Sequence, residues 1–141
     1  MDSFQLHVFC DASEDAYAAV VYLRGQDKGG DVHISLVISK TRVAPIKRLT
    51  IPRLELCGAK LLSQLLHHVQ HSLGISVESV FAWTDSSIVL SWLIGNPRRF
   101  KTFVGNRVSH ITQLIPSERW NHVRSEDTLP TALLVVSFLQ S

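Results

Sequence analysis

Three acidic residues sit where the chain passes from one kind of element to another. Asp11 follows the apolar run Leu6-His7-Val8-Phe9-Cys10, and Asp85 follows Val80-Phe81-Ala82-Trp83-Thr84. Glu55 lies within Ile51-Pro52-Arg53-Leu54-Glu55-Leu56, at the opening of a long helical pattern. Two strand ends and one helix start can converge on one patch at the carboxyl edge of a sheet. Carboxylates gathered there repel one another unless a cation joins them. Singly, an Asp after a strand is usually a turn former, and a Glu in a first helical turn complements the helix dipole. All three at such junctions point instead to metal ligands.

The elements that must position them can be read from the periodicity. Alternation over residues 5–10 predicts a strand. Ala12-Ser13-Glu14-Asp15 is a turn, and Ala16 to Leu23 a second strand. Arg24 to Asp31, with three glycines, is a hairpin loop. Val32 to Ser39 is a third strand, with Val32, Ile34, Leu36 and Ile38 expected on one face. Lys40 to Thr50 reads as a basic loop. Pro52 suits a first helical turn, where its missing N–H costs nothing. A buried helix follows, stopped by Gly74. Val77 to Thr84 is a fourth strand. Asp85 or Ser86 can cap a short helix over Ile88 to Ile94, halted by Gly95-Asn96-Pro97. Phe103, Val104, Val108, Ile111 and Leu114 mark another helix, and Arg119 to Val123 a fifth strand. The order is βββ-α-β-α-α-β, an α/β chain with a mixed sheet.

Composition sets the bounds. The chain has 141 residues, 45% hydrophobic and 18% charged, which suits one globular domain. A net charge of +2 gives no strong global pull toward nucleic acid, so local clusters must carry that argument. Cys10 and Cys57 read as buried reduced thiols rather than a disulfide framework. No apolar stretch is long enough to span a bilayer and no signal peptide opens the chain, so an intracellular protein, cytoplasmic or nuclear, is expected. The abrupt start of the first strand reads as an excised domain.

Five local motifs, in order, sharpen the reading. They are Phe9-Cys10-Asp11-Ala12-Ser13; Thr50-Ile51-Pro52-Arg53-Leu54-Glu55-Leu56; Trp83-Thr84-Asp85-Ser86 with Val89-Leu90-Ser91-Trp92; Phe103-Val104-Gly105-Asn106-Arg107-Val108; and Trp120-Asn121-His122-Val123. Over roughly residues 5 to 127 the chain resembles the ribonuclease H-like domain of Bel/Pao-type LTR retrotransposon polyproteins. The resemblance implies a five-stranded mixed sheet flanked by helices and hydrolysis of the RNA strand of RNA–DNA hybrids. It implies two Mg²⁺ or Mn²⁺ ions, about 3.5–4 Å apart in such sites. Asp11 would bridge both ions, with Glu55 and Asp85 completing the second. It also implies hybrid contacts at Ser13, Arg42, Arg53, Ser86 and Arg107, and an upstream reverse transcriptase in the same polyprotein.

A fourth acid belongs near the C-terminus of that family, in Asn-Pro-Ala-Asp followed by Ser-Arg-Gly. Here the match stops after Asp127, and the chain continues Thr128-Leu129-Pro130-Thr131-Ala132-Leu133-Leu134-Val135-Val136-Ser137. Leu129 to Ser137 can be encoded CTG CCG ACT GCG CTT CTC GTG GTC TCN. Read from the third base, those letters give Ala-Asp-Cys-Ala-Ser-Arg-Gly-Leu, the family's ending. Residues 1–127 therefore read as the domain and 128–141 as an aberrant apolar tail, with the C-terminal helix altered or lost. The ion that activates water would then be incompletely held. Glu126 and Asp127 lie upstream of the expected position. Two other functions stay open: a catalytically impaired remnant that still binds nucleic acid, and an interaction module.

Other residues have simpler readings. His67 and His71 are four apart on a helix, but no third zinc ligand accompanies them, so a solvated face is expected. His122 reads as a structural strand residue. The clusters Lys40, Arg42, Lys47, Arg48, Arg53 and Arg98, Arg99, Lys101, Arg107 suit phosphate contacts or a solvated basic surface. A frame slip between Asp127 and Leu129 is expected in the coding nucleotides; codons incompatible with the shifted reading would exclude it.

Overall fold

The computed structural model describes residues 3–124, so the expectations for Glu126, Asp127 and the tail lie outside the described residues. The strands are β1 (Ser3–Ala12), β2 (Ala16–Gln26), β3 (Val32–Val43), β4 (Val80–Thr84) and β5 (Trp120–His122). The helices are α1 (Ile51–Leu73), α2 (Ser87–Ile94) and α3 (Thr102–Leu114). Single 3-10 turns at Val77–Ser79, Pro97–Arg99 and Ser117–Arg119 join them. The sheet order is β3-β2-β1-β4-β5. β1, β2 and β3 pair antiparallel, whereas β4 runs parallel to both β1 and β5. Parallel pairs need long crossovers, supplied by α1 in one case and by α2 and α3 in the other.

α1 forms where the sequence predicts it. Thr50 caps its start, its hydroxyl accepting from the Arg53 N–H at 3.4 Å. Gly74, at φ 67°, ends it, and its N–H donates to the Gln70 carbonyl at 2.8 Å. The buried stripe, including Leu56, Leu62, Leu66 and Val69, lies on one face of the sheet. That face offers Leu6, Val8 and Cys10 from β1, Ala19 and Val21 from β2, and Val80 and Ala82 from β4. α2 and α3 add Val89, Leu93, Val108 and Ile111, and Trp120 of β5 closes this core.

The opposite face is aromatic. Phe9 packs with Val20, Tyr22, Trp83 and Val123. His7 is buried among them, stacked on Phe81 at 4.9 Å between ring centroids. The Trp83 indole N–H donates to His7 Nδ1 at 3.3 Å. Indole is a donor only, so Nδ1 is the acceptor and the Nε2–H donates to Gln5 Oε1 at 3.0 Å. Burial, and then the positive charge of Arg24, push the imidazole down to about 4.

Four expectations are corrected. The third strand runs to Val43, so Lys40 to Val43 is not loop. The 77–79 stretch is a 3-10 turn and not strand. Val32, Ile34, Leu36 and Ile38 do not share a face. Leu36 pairs with Tyr22 and Ile38 with the next residue, Val21, leaving Val37 as an extra residue at a bulge. Ile38 therefore packs on the helical core while Leu36 stays 59% exposed. Cys57 is half-buried rather than buried, and both cysteines are free.

A proton binds His7 in the unfolded chain near 6.5 but in the folded chain only near 4. Stability should therefore fall with pH through that window, by about 2–3 kcal/mol at most. Urea titrations of the parent and His7→Phe from pH 7 to 4 should show this limb in the parent alone.

Candidate functional site

The ladder between β1 and β4 runs from Leu6↔Val80 to Phe9↔Trp83. Asp11 and Asp85 each lie two residues beyond that last pair. Parallel register leaves them side by side at the carboxyl ends of adjacent strands. The Cys10 thiol spans the same two strands, donating to the Trp83 carbonyl at 3.8 Å. Asp11 is exposed, and its Oδ1 accepts from the Ala12 N–H at 2.9 Å.

α1 delivers the third carboxylate. The helix crosses the end of β1 at Gly58, where a methyl group would sit 3.3 Å from the Asp11 carbonyl oxygen and 3.6 Å from Cys10 Cβ. Glu55 is three residues earlier, on the same side of the helix. A methyl group at position 58 would press on the Asp11 carbonyl, so the close crossing of α1 over β1 that brings Glu55 near favours glycine there.

Asp85 is fixed by a strand-to-helix junction. The Ser86 N–H donates to Thr84 Oγ1 at 3.1 Å, and Ser86 Oγ accepts from the Val89 N–H at 3.1 Å, capping α2. Thr84 and Ser86 are both buried. Asp85 is half-buried, and its Oδ1 is shielded from solvent without a hydrogen-bond partner among the described residues. A buried, unsatisfied carboxylate oxygen is costly unless something neutralises it.

Electrostatics show that the three act on one another. Burial raises the Glu55 carboxyl above its usual range, the Asp85 charge adds to this, and Asp11 contributes further; a hydrogen bond with Ser86 opposes it. Burial also raises Asp85, followed by the Asp11 charge, against hydrogen bonds to its own backbone and to Glu55. Beneath them, burial pushes the Cys10 thiol far up, and all three carboxylates push the same way.

His122 is a feature the sequence reading did not connect with the site. β5 pairs with β4 at Thr84↔His122, next to Asp85. His122 is exposed, and its charge works against the rise in the Asp85 pKa. Only the strand pairing reveals this, because 37 residues separate the two in sequence.

The remaining candidates distribute around this centre. Ser13 lies in the β1–β2 turn, its hydroxyl bonded to the Ala16 carbonyl at 3.4 Å. Ser86 is 5% exposed, with its hydroxyl engaged in the cap. Arg53 and Arg107 approach one ring, Phe103, at 4.9 and 3.6 Å from its centroid. Arg42 stands opposite Tyr17 on the edge strand.

A hard divalent cation such as Mg²⁺ takes oxygen ligands, keeps several waters and needs only one or two carboxylates. The donors here are all carboxylate oxygens, and the orphaned Asp85 Oδ1 is of the kind a cation would satisfy. Among the described residues, no three His, Cys, Asp or Glu side chains form a ready cage around a single ion. The fit is therefore to a partly hydrated cation, and not to a closed three-ligand site.

A five-stranded mixed sheet in this order, with acids at the ends of its two central strands, defines an RNase H-like fold. RNase H1 of Halobacterium salinarum shares it at 15% identity and TM-score 0.50, over 86% of each chain. The N-terminal RNase H domain of a Mycobacterium tuberculosis protein, solved as a fusion with maltose-binding protein, matches at 13% and 0.57, over 99% of this chain and 100% of that one. LC11-RNase H1 from compost, in complex with an RNA/DNA hybrid, matches at 12% and 0.53, over 94% and 93%. No curated protein sequence matches. Residues 1–86 match the Pao retrotransposon-like RNaseH-like domain, and the chain belongs to that family. The match is shorter than the 5–127 expected from the motifs, but it contains Asp11, Glu55 and Asp85.

Raised carboxyl pKa values mean that the folded state resists ionising Glu55 and Asp85. Their favourable contribution is present below the ordinary carboxylate range and is lost as pH rises through the raised values. Asp85→Asn should therefore raise the metal-free Tm at pH 7 by roughly 2–4 °C. Calorimetry should find that gain shrinking toward pH 4.

Proposed function

We propose that this domain hydrolyses the RNA strand of RNA–DNA hybrids with the help of divalent cations held by Asp11, Glu55 and Asp85. The observation that carries this is the convergence of three mutually repelling carboxylates with the shielded, unsatisfied Asp85 Oδ1. A structural acid cluster would be expected to satisfy that oxygen from the protein. A bound Mg²⁺ or Mn²⁺ would supply a lowered pKa for water and a counter-charge at the phosphoryl oxygens.

The chain's own residues have separable tasks. Asp11 and Asp85 present oxygen donors from neighbouring strands, so their spacing is set by the sheet rather than by a loop. Glu55 approaches from α1, held down by the Gly58 crossing. Ser86 holds Glu55 by a hydrogen bond while capping α2, which couples helix and strand. His122 supplies a titratable group beside Asp85 and outside the carboxylate set.

Hybrid binding is supported by the family and by the hybrid complex of a protein sharing the fold. A hybrid is read through its backbone, 2′-hydroxyls and groove shape, which needs cations rather than a base pocket. An upstream reverse transcriptase in the same polyprotein is the natural source of such hybrids and belongs to this proposal. No helix among the described residues is long and apolar enough to cross a membrane.

A second reading is a remnant that binds hybrids without cutting them, favoured by the apolar sequence where a fourth acid is expected. Cleavage of a labelled hybrid in Mg²⁺ and Mn²⁺ separates the two. Turnover by the parent chain, lost at least 100-fold in Asp11→Asn and Asp85→Asn, is the expected result. Binding without turnover in either ion would replace the nuclease reading with the remnant.

A further inference from the structure

Beside the carboxylates, a cleft of about 300 Å³ opens between the β2–β3 edge of the sheet, α1 and Arg107 of α3. Arg42, Lys60 and Arg107 line it together with Tyr17, Cys57 and Gln64, and no acidic residue takes part. Among the described residues no carboxylate pairs with any of the three cations. Like charges facing one cleft repel, and an anion between them removes that cost.

One cation is held in place in advance. The Arg107 guanidinium lies 3.6 Å from the Phe103 ring centroid, and its Nη1 donates to the Phe103 carbonyl at 3.1 Å. Arg53 approaches the same ring at 4.9 Å. Stacking and one hydrogen bond fix the plane of the Arg107 fork while leaving its other N–H donors without partners among the described residues. A fixed guanidinium fork suits bidentate binding of a phosphate.

The cleft starts where the carboxylate patch ends. Tyr17, on its wall, pairs with Ala12, the neighbour of Asp11. Tyr17 Cβ also lies 3.7 Å from where a Gly58 methyl group would be. Lys60 follows Glu55 by five residues on α1, roughly 8 Å along the axis. A small free anion would meet repulsion from the nearby acids. A nucleic-acid strand already held at those acids through cations would carry further phosphates past the cleft.

We infer that the Arg42–Lys60–Arg107 cleft holds a backbone phosphate of the same nucleic acid that the carboxylates engage. This rests on the hybrid-binding reading above and adds a second contact point to it. Phe103 is a positioning residue, acting through Arg107.

The test is fluorescence anisotropy of the full chain with a labelled RNA–DNA hybrid in EDTA, across a salt series. Lys60→Gln and Arg107→Gln should each weaken binding about 3–10-fold at 0.1 M salt and lower the log–log salt slope by about one. Phe103→Leu should weaken binding with the slope unchanged, since every charge remains. Lys28→Gln, in the β2–β3 hairpin, should change neither quantity. Among the described residues Lys60 makes no hydrogen bond through its side chain, so its variant remains informative if Arg107→Gln unfolds. A parent chain that binds no hybrid overturns the hybrid-binding reading itself. A parent that binds, with affinity and slope intact in Lys60→Gln and Arg107→Gln, overturns the cleft alone.

Discussion

The parallel pairing of β1 with β4 is the constraint on which the site depends. Its register puts Asp11 and Asp85 side by side, and nothing about either residue alone would do so. The arrangement is unfavourable by itself. Burial and mutual repulsion raise Glu55 and Asp85, and Asp85 Oδ1 has no protein partner among the described residues. Such strain persists only where surrounding structure over-determines the geometry. Here the surrounding structure is a continuous core beneath both strands, with Leu6, Val8, Val80 and Ala82 fully buried under α1.

Both faces of the sheet contribute to that rigidity, by different chemistry. On the helical face, aliphatic side chains interdigitate with α1, α2 and α3. On the other, rings stack along the same two strands that end in the acids. Phe9 lies against Trp83 at 6.2 Å, and Trp83 is tied to His7 by a hydrogen bond. These cross-strand contacts occupy positions immediately before the acidic ends of β1 and β4. They fix the strand separation where it matters most. The neutral state of His7 belongs to this scheme, because a protonated ring could not accept the Trp83 N–H.

Much of this was legible in the sequence because it is local. Strand ends, the Thr50 and Gly74 caps and the short helix after Asp85 follow from turn chemistry and periodicity. The RNase H-like class followed from the order of elements together with the motif wording. What stayed hidden was non-local. The Val37 bulge, which sends Ile38 to one face and leaves Leu36 on the other, has no signature in β3 itself. His122 was read as structural because its nearness to Asp85 comes from β5 pairing with β4, which sequence spacing does not record. The Arg107 stack on Phe103 was not foreseen, since a helix shows the four-residue spacing but not the choice of partner.

The net charge of +2 conceals a segregation that matters more than its size. Acids gather at the ends of β1, β4 and the start of α1. Cations line the adjoining cleft without carboxylate partners among the described residues. A protein seeking only stability would interleave the two, since paired charges cost less than separated clusters of like sign. Keeping them apart leaves two opposite unmet demands next to each other: one for cations and one for anions. A polyphosphate strand accompanied by divalent ions meets both demands at once, and neither a lone metal ion nor a lone phosphate does. The separation of charge is therefore the feature that supports the proposed nucleic-acid ligand more firmly than the carboxylates could alone.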